Sequence, residues 1–269
     1  MPAATGPDLD RYFRRIGFGG DARATLATLA RLQLAHATTI PFENVDVRLG
    51  RPIRLDLPSL EADLVARRRG GYCFQQNSLF VAVLRALDFT VETLEARVRP
   101  PGATAVLART HMVLRVRHPD GDRLVDVGFG ADGPLAPVPV DGTPVECGGD
   151  TNRAAPEPGG VLVLQRRTAA GWADLYAVLP TPVLAVDYVV ANHFTSTWPE
   201  STFVRSLTAQ RPTLEARHHF RGRTYTRRRG DRSETRDLDD AEVFALLRDT
   251  MGLEVTADEV RAALADTPA

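Results

Sequence analysis

The chain has 269 residues, of which 43% are hydrophobic, and its net charge is −1. It contains no lysine, so all 33 of its basic residues other than histidine are arginines. This length supports a sizeable core in one large domain or two to three small ones, and the missing lysine excludes a lysine Schiff base, a P-loop lysine and a Ser–Lys dyad. A near-neutral chain lacks the broad basic field of nucleic-acid-binding proteins, and two cysteines without a Cys-x-x-Cys pair predict neither a disulfide framework nor structural zinc.

No apolar stretch reaches the roughly 18 residues of a membrane span, and the first residues lack the basic and apolar regions of a signal peptide. We therefore expect a cytoplasmic protein with no metal site that binds neither nucleic acid nor membrane.

Cys73 stands at the start of a predicted helix in the first third of the chain. Apolar residues recur at three- and four-residue spacing over residues 8–16, 21–36 and 59–68, and again after Cys73, so this third should be helical. Two glycines precede the cysteine, which places its thiol at a helix N-terminus. The free N–H groups and the macrodipole there favour an anion, so the pattern predicts a thiolate nucleophile.

The middle of the chain has the alternating pattern of β-strands, as over residues 91–98 and 111–117. Residues 137–160 are rich in Pro and Gly and predict a long irregular loop. A small α+β region closes the chain. Its two short strands and two helices are predicted over residues 214–220, 224–228, 239–250 and 257–264.

A cysteine thiolate needs a base and a group that orients the base, and His111 and Asp126 supply both. His111 opens a predicted strand, and Asp126 follows on the next one. A tight hairpin would leave the two side chains too far apart, so we predict a loop of about six residues or a bulge that pairs His111 with Asp126 and Arg115 with Asp122. Each residue alone also has a simpler interpretation: Cys73 as an inert core cysteine, His111 as an ordinary strand histidine and Asp126 as a cap at the end of a strand.

Several segments together resemble the arylamine N-acetyltransferases over nearly the whole chain. They are Ile-Pro-Phe-Glu-Asn at 40–44, Arg-Gly-Gly-Tyr-Cys-Phe at 69–74, Thr-His at 110–111, Val-Asp-Val-Gly-Phe-Gly at 125–130 and the Asn, Thr, Ser and Phe pattern of 192–203. The resemblance implies an α+β fold with a Cys-His-Asp core like that of cysteine proteases and transglutaminases. Its parts would be a helical domain with the cysteine (1–89), a β-barrel with the His and Asp (90–205) and an α/β lid (206–269).

The implied reaction is a two-step, ping-pong transfer in which Cys73 takes the acetyl group from acetyl-CoA and passes it to an arylamine, N-hydroxyarylamine or hydrazine. His111 would be the base and Asp126 its orienting group. Acetyl-CoA is then a co-substrate, and no cofactor is permanently bound. The segments that line the acceptor site in the family contain Phe42, Val98, Thr110, Phe129 and Phe203. Core packing is the alternative role for the apolar ones among them.

Three glycines, Gly128, Gly130 and Gly133, allow close backbone approach, so their N–H groups are candidates for binding CoA phosphates or the acyl oxygen. Turn geometry explains them equally well. Glu43 and Arg69 are expected to form a buried ion pair that holds the Ile-Pro-Phe-Glu-Asn segment against the cysteine loop. The alternative is a pair of exposed charges.

Five further residues bear on the site. Gln75 and Gln76 replace an acidic residue that many relatives have beside the nucleophile, which leaves the role of that carboxylate open. Cys147 has no base motif beside it and is expected to be an incidental thiol. His218 and His219 are adjacent on a predicted strand, so they should point to opposite faces and not share a metal ion.

Other functions remain open at this stage. An amide synthase of the same fold would take an acyl chain from a carrier protein and close a macrolactam, which requires a far roomier site. A cysteine hydrolase of papain or transglutaminase type has the same Cys, His, Asp/Asn order. A binding module without catalysis is the third alternative.

Overall fold

The computed structural model describes residues 6–100, 102 and 105–265. The α-helices are Leu9–Ile16 (α1), Leu26–Thr39 (α2), Val45–Arg48 (α3), Leu57–Leu60 (α4), Cys73–Ala86 (α5), Ala185–Thr197 (α6), Thr202–Arg205 (α7), Asp240–Ala245 (α8) and Ala257–Leu264 (α9). Two π-helical segments, Glu61–Ala66 and Leu246–Thr250, continue α4 and α8. Within the described ranges, none of the helices has the length and apolar character needed to cross a membrane.

The strands form two antiparallel sheets. They are Phe42–Glu43 (β1), Thr90–Val98 (β2), His111–Arg117 (β3), Arg123–Val125 (β4), Val138–Pro139 (β5), Val145–Cys147 (β6), Asp150–Glu157 (β7), Val161–Thr168 (β8), Gly171–Pro182 (β9), Thr208–Pro212 (β10), Arg217–Arg221 (β11), Thr224–Arg229 (β12) and Arg232–Asp237 (β13). An eight-stranded sheet runs β5-β4-β3-β2-β9-β8-β7-β6 and curls until β5 contacts β7, which makes a nearly closed barrel. The predicted fold class, helices with a β-barrel and a terminal α/β region, is confirmed.

The second sheet joins the two ends of the chain. Its order is β1-β10-β11-β12-β13, so β1 from the helical region pairs with β10 from the C-terminal region, with Phe42 opposite Gln210. Phe42 also bridges to Gly71 just before the cysteine. This sheet therefore links the cysteine loop to the last third of the chain.

The predicted irregular loop over 137–160 is wrong. The segment contains β5, β6 and β7, and β7 pairs with β8 from Asn152 to Glu157. Its Gly residues lie at the turns between strands, as at Gly142 and Gly148, where φ is +89° and +60°. Pro156 is tolerated inside β7, so the Pro and Gly content marks turns of a meander rather than the absence of strands.

Helix α6, inside the region predicted as β, was also not predicted.

The predicted register of β3 and β4 is wrong by two residues. Arg115 lies opposite Leu124, not Asp122, and residues 118–122 connect the strands. Asp126 follows β4 directly and is therefore diagonal to His111 on the same face of the sheet. Diagonal neighbours are within reach of long side chains, so the two residues still meet.

The predicted ion pair of Glu43 and Arg69 is confirmed as buried. Glu43 Oε1 is 3.7 Å from Arg69 Nε, and the two side chains are 4% and 2% exposed. The arginine also contacts Asp46 at 3.2 Å and Glu259 at 3.4 Å. Because Glu43 Oε1 accepts a hydrogen bond from Gly70 N at 3.2 Å, this cluster holds the Ile-Pro-Phe-Glu-Asn segment against the cysteine loop.

Arg69→Gln is expected to lower the free energy of unfolding by about 3–5 kcal/mol, because it leaves a buried carboxylate without its cation. The control is Arg67→Gln, which removes an exposed pair with Asp63 at 2.8 Å and should cost about 0–1 kcal/mol. Urea denaturation of both variants measures the difference. Equal losses in the two variants would contradict the buried-pair interpretation.

Candidate active site

Helix α5 begins at the nucleophile candidate, with Tyr72 as its N-cap residue. Gln75 Oε1 accepts a hydrogen bond from Tyr72 N at 3.3 Å, which closes the first turn in the manner of a capping box. A Cβ on Gly70 would lie 2.2 Å from the carbonyl oxygen of Pro41, so the chain at this point requires glycine. A glutamine fills the capping position as well as a glutamate does.

The second glutamine of the motif has a different task. Gln76 Nε2 donates to the carbonyls of Pro41 at 2.8 Å and Gly71 at 3.1 Å, so its Oε1 accepts from His36 Nε2 at 2.6 Å. His36 Nδ1 then accepts from the Tyr12 hydroxyl at 2.7 Å. Burial lowers the pKa of His36 to about 4, so this imidazole stays neutral. Its hydrogen bond to Gln76 helps to hold the cysteine loop in place.

The structure brings Cys73, His111 and Asp126 together. His111 Nε2 and Asp126 Oδ2 are 2.7 Å apart, and both side chains are buried. His111 uses Nε2 for the carboxylate, so Nδ1 is the ring nitrogen left to interact with Cys73. Cys73 Sγ also lies 3.5 Å from the carbonyl oxygen of Thr110. The order thiol, imidazole, carboxylate is the arrangement that nucleophilic catalysis needs.

Asn77 holds the carboxylate in place, and sequence reasoning missed it. Its Nδ2 donates to Asp126 Oδ1 at 2.9 Å, and its Oδ1 accepts from Val127 N at 3.1 Å. Asn77 lies four residues after Cys73 on α5, so the two share a helix face. This four-residue spacing from Cys73 is the feature of the sequence that could have predicted the role of Asn77.

The charges of the three groups stabilise one another. Burial alone would lower the pKa of His111. The charge of Asp126, its hydrogen bond and the interaction with Cys73 outweigh the burial, so the pKa is raised to about 10. For Asp126, burial raises the pKa, while His111 and Asn77 hold it below its ordinary value. The imidazole is therefore positively charged at neutral pH.

A cavity of about 390 Å³ opens onto the thiol. The five predicted acceptor residues all line it, together with Cys73 and His111: Phe42, Val98, Thr110, Phe129 and Phe203. The rings of Phe42 and Phe203 lie 5.6 Å apart, and both also pack in the main hydrophobic core, so the cavity role and the core role coexist. The cavity is apolar on this side.

Polar side chains form another part of the lining, which we call the polar wall and which was not predicted. Gln210, His219, Arg221 and Asp132 line it. His219 Nε2 is 3.6 Å from Asp132 Oδ1. Burial raises the pKa of Asp132, but His219 and Arg228 keep it well below its ordinary value, so this carboxylate stays charged.

His218 and His219 point to opposite sides of the sheet, as predicted, since His218 lines a different cavity. Within residues 6–100, 102 and 105–265, no three His, Cys, Asp or Glu side chains are grouped so that they could bind a metal ion. Cys147 is a half-buried free thiol on β6. Burial raises its pKa, which disfavours a thiolate there.

The three glycines are arranged for packing. Gly128 N donates to Asp126 Oδ1 at 2.8 Å, and Gly133 N donates to Gly130 O at 3.1 Å, so neither N–H is free for a phosphate. A Cβ on Gly128 would lie 2.7 Å from Cys73 Cα, which explains the glycine by close approach to the nucleophile. Gly130 and Gly133 line a narrow crevice beside the cavity rather than the cavity itself.

Comparisons with known proteins agree on one family. A family model described as N-acetyltransferase matches residues 25–260. The arylamine N-acetyltransferase of Escherichia coli K12 is 36% identical over 258 residues, 93% of this chain and 90% of that protein, and the one of Mycolicibacterium smegmatis is 38% identical over 240 residues, 87% of each. The structure of the Mycobacterium marinum arylamine N-acetyltransferase in complex with CoA has a TM-score of 0.90 at 36% identity, covering 97% of this chain and 99% of that one. This chain belongs to the arylamine N-acetyltransferase family.

Proposed function

We propose that this protein transfers the acetyl group of acetyl-CoA to the nitrogen of arylamines, N-hydroxyarylamines or hydrazines through a thioester on Cys73. The observation that carries the proposal is the meeting of Cys73, His111 and Asp126 at one end of a cavity with an aromatic wall. Use of acetyl-CoA as the donor is consistent with a cytoplasmic location.

In the first step, the Cys73 thiolate attacks the thioester carbonyl of acetyl-CoA and forms a tetrahedral intermediate. The C–S bond to CoA then breaks, and the His111 imidazolium supplies the proton that CoA takes up. Asp126 holds the imidazole through Nε2 and stabilises its charged form. The products are acetyl-Cys73 and free CoA.

In the second step, the amine lone pair attacks the acetyl carbonyl and the bond to Cys73 breaks. The now neutral His111 accepts the proton that the amine loses, which restores the thiolate and imidazolium. An arylamine is uncharged at neutral pH, so it enters the apolar side of the cavity without first losing a proton.

The size of the cavity favours a small acceptor over a macrolactam precursor. A volume of about 390 Å³ lies near the lower end of the range for small-molecule sites, roughly 300–1,000 Å³. A large acyl chain folded for ring closure needs more room than this. The amide synthase reading and its carrier protein are therefore the less favoured alternative.

The polar wall supplies a place for the phosphates of CoA. A second cavity of about 240 Å³ shares Thr202 and Arg221 with the first and is also lined by Arg205. The Arg221 side chain is exposed and is in no salt bridge with the described residues. Since arginine suits phosphate groups, we assign the donor phosphates to Arg221 and Arg205 in place of the three glycines.

Arg221→Gln is expected to raise the KM for acetyl-CoA about tenfold and leave kcat nearly unchanged, because a lost charged hydrogen bond weakens ground-state binding. The rate with p-nitrophenyl acetate, a donor without phosphates, should stay the same. Steady-state kinetics with both donors measure this. An equal loss with the two donors would place Arg221 outside phosphate binding.

Release of CoA that depends on added arylamine tests the function as a whole. Acetyl-CoA alone should give one equivalent of CoA per protein, and continuous release should begin only when the amine is added. Parallel lines in double-reciprocal plots are expected for the ping-pong order. Continuous release without amine would indicate a hydrolase instead.

A further inference from the structure

One cavity of the described structure lies outside the active site. It has a volume of about 750 Å³ and lies between α2, the turn after α1 and strands β10 to β12. Adjacent residues of β10 point to opposite faces of the sheet: Gln210 lines the active-site cavity, and Arg211 lines this second cavity. We call it the arginine groove, and its lining includes Phe18, Arg31, Leu34, Arg211, His218 and Arg227.

The three arginines of the groove are Arg31, Arg211 and Arg227. Within the described part of the chain, none of them is in a salt bridge, and the only acid in the lining is the exposed Glu215. The Arg227 side chain makes no hydrogen bond to a described residue, and its Nε is buried without a partner. Because Arg227 lines the groove and its charge is not engaged by a described carboxylate, its guanidinium can pair with an anion there.

Other side chains of the groove are held in fixed positions. Arg211 donates from Nε to the Thr38 carbonyl at 2.8 Å and from Nη1 to the Thr250 carbonyl at 3.1 Å. His218 Nδ1 and the Tyr225 hydroxyl are 2.7 Å apart, which leaves Nε2 of the imidazole available. Burial and the charges of Arg227 and Arg211 lower the pKa of His218, which reports a positive potential in the groove.

The groove also has an apolar side, formed by Phe18, Leu34 and Leu214. The guanidinium of Arg31 lies over the ring of Phe18 at 4.7 Å. A site that contains both cations and apolar groups suits a ligand that carries both characters.

We propose that the arginine groove binds an organic anion, with a phosphate or carboxylate group near Arg211 and Arg227 and an apolar body against Phe18 and Leu34. This site is separate from acetyl transfer, so the proposal stands or falls independently of the function above.

Phenyl phosphate is a suitable probe, because it joins an aromatic ring to a doubly charged group. Isothermal titration calorimetry should show saturable binding that Arg227→Gln weakens at least about tenfold. Two matched controls should keep the affinity: Arg229→Gln, an exposed arginine on the same strand, and Arg221→Gln on the active-site face of the sheet. Benzyl alcohol, which has the ring without the charge, should not bind.

Arg227 makes no hydrogen bond or salt bridge to a described residue, so its replacement should leave the free energy of unfolding without ligand unchanged or higher. A folded Arg227→Gln protein therefore separates binding from folding. The proposal is overturned if phenyl phosphate shows no saturable binding at millimolar concentration, if Arg227→Gln and Arg229→Gln bind equally, or if the loss appears in Arg221→Gln instead.

Discussion

Cys73→Ala is expected to abolish acetyl transfer, with a fall of at least about 10⁴-fold, because the covalent route through the thioester is lost. Intact mass spectrometry after mixing with acetyl-CoA should show one acetyl group on the unaltered protein and none on the variant. Repeating the measurement with propionyl- and malonyl-CoA would show which acyl groups the cavity accepts.

Cys147→Ser is the matched control for this experiment. Cys147 is the other free thiol, half-buried on β6, and burial raises its pKa. The control should retain the acetyl group and full activity. Acetyl retained in Cys73→Ala and absent from Cys147→Ser would reverse the assignment of the nucleophile.

Asp126→Asn is expected to slow acylation of Cys73 by about 10³- to 10⁴-fold, as loss of an orienting carboxylate does in other triads. The asparagine keeps the shape but removes the charge that holds the pKa of His111 at about 10. Burial then lowers that pKa, so the imidazole is neutral at pH 7 and the thiolate loses its counter-charge. Asp122→Asn, at an exposed salt bridge with Arg117, is the control and should acylate normally.

The pH profile distinguishes this electrostatic role from a purely structural one. Acylation of the unaltered protein should not decline on account of His111 until the pH approaches about 10. In Asp126→Asn the decline should begin near or below pH 6.5, the ordinary value for histidine. Single-turnover rates against pH measure this. Identical pH profiles in the two proteins would show that Asp126 does not control the charge of His111.

The same pair makes stability depend on pH. The raised pKa of His111 gives a stabilisation that is complete below about pH 6.5 and is lost as the pH rises through about 10. The lowered pKa of Asp126 also stabilises the folded protein. This stabilisation is present above pH 3.8, the ordinary pKa of an aspartate, and is lost as the pH falls through the lower pKa of the folded state. The stability difference between the unaltered protein and Asp126→Asn should thus be largest between about pH 4 and 6.5.

The parts of the site that local sequence could predict are those carried by short segments. Cys73 was predicted because two glycines and an apolar helix pattern surround it, and Glu43 with Arg69 because opposite charges lie in two recognisable segments. The pairing of His111 with Asp126 was predicted although the register was wrong, because a shift of two residues keeps both on one face of the sheet.

The parts that were missed depend on contacts between distant strands. Gln210, His219 and Arg221 reach the cavity only because β10 pairs with β1 and β11 with β10, and no local pattern reveals the pairing of β1 with β10. Helix α6 was missed because its exposed side is unusually apolar, with Val186 and Val190 at 67% and 75% exposure, so the usual polar face is absent.

The pairing of β1 with β10 has a consequence for synthesis of the protein. A nascent chain on the ribosome exposes the cysteine loop long before β10 has been translated, so the sheet that closes over the loop cannot yet form. Until then Phe42 lacks its partner strand and the cavity lacks one wall. Acetylation of the emerging polypeptide by cellular acetyl-CoA should therefore begin only after the last third of the message has been read.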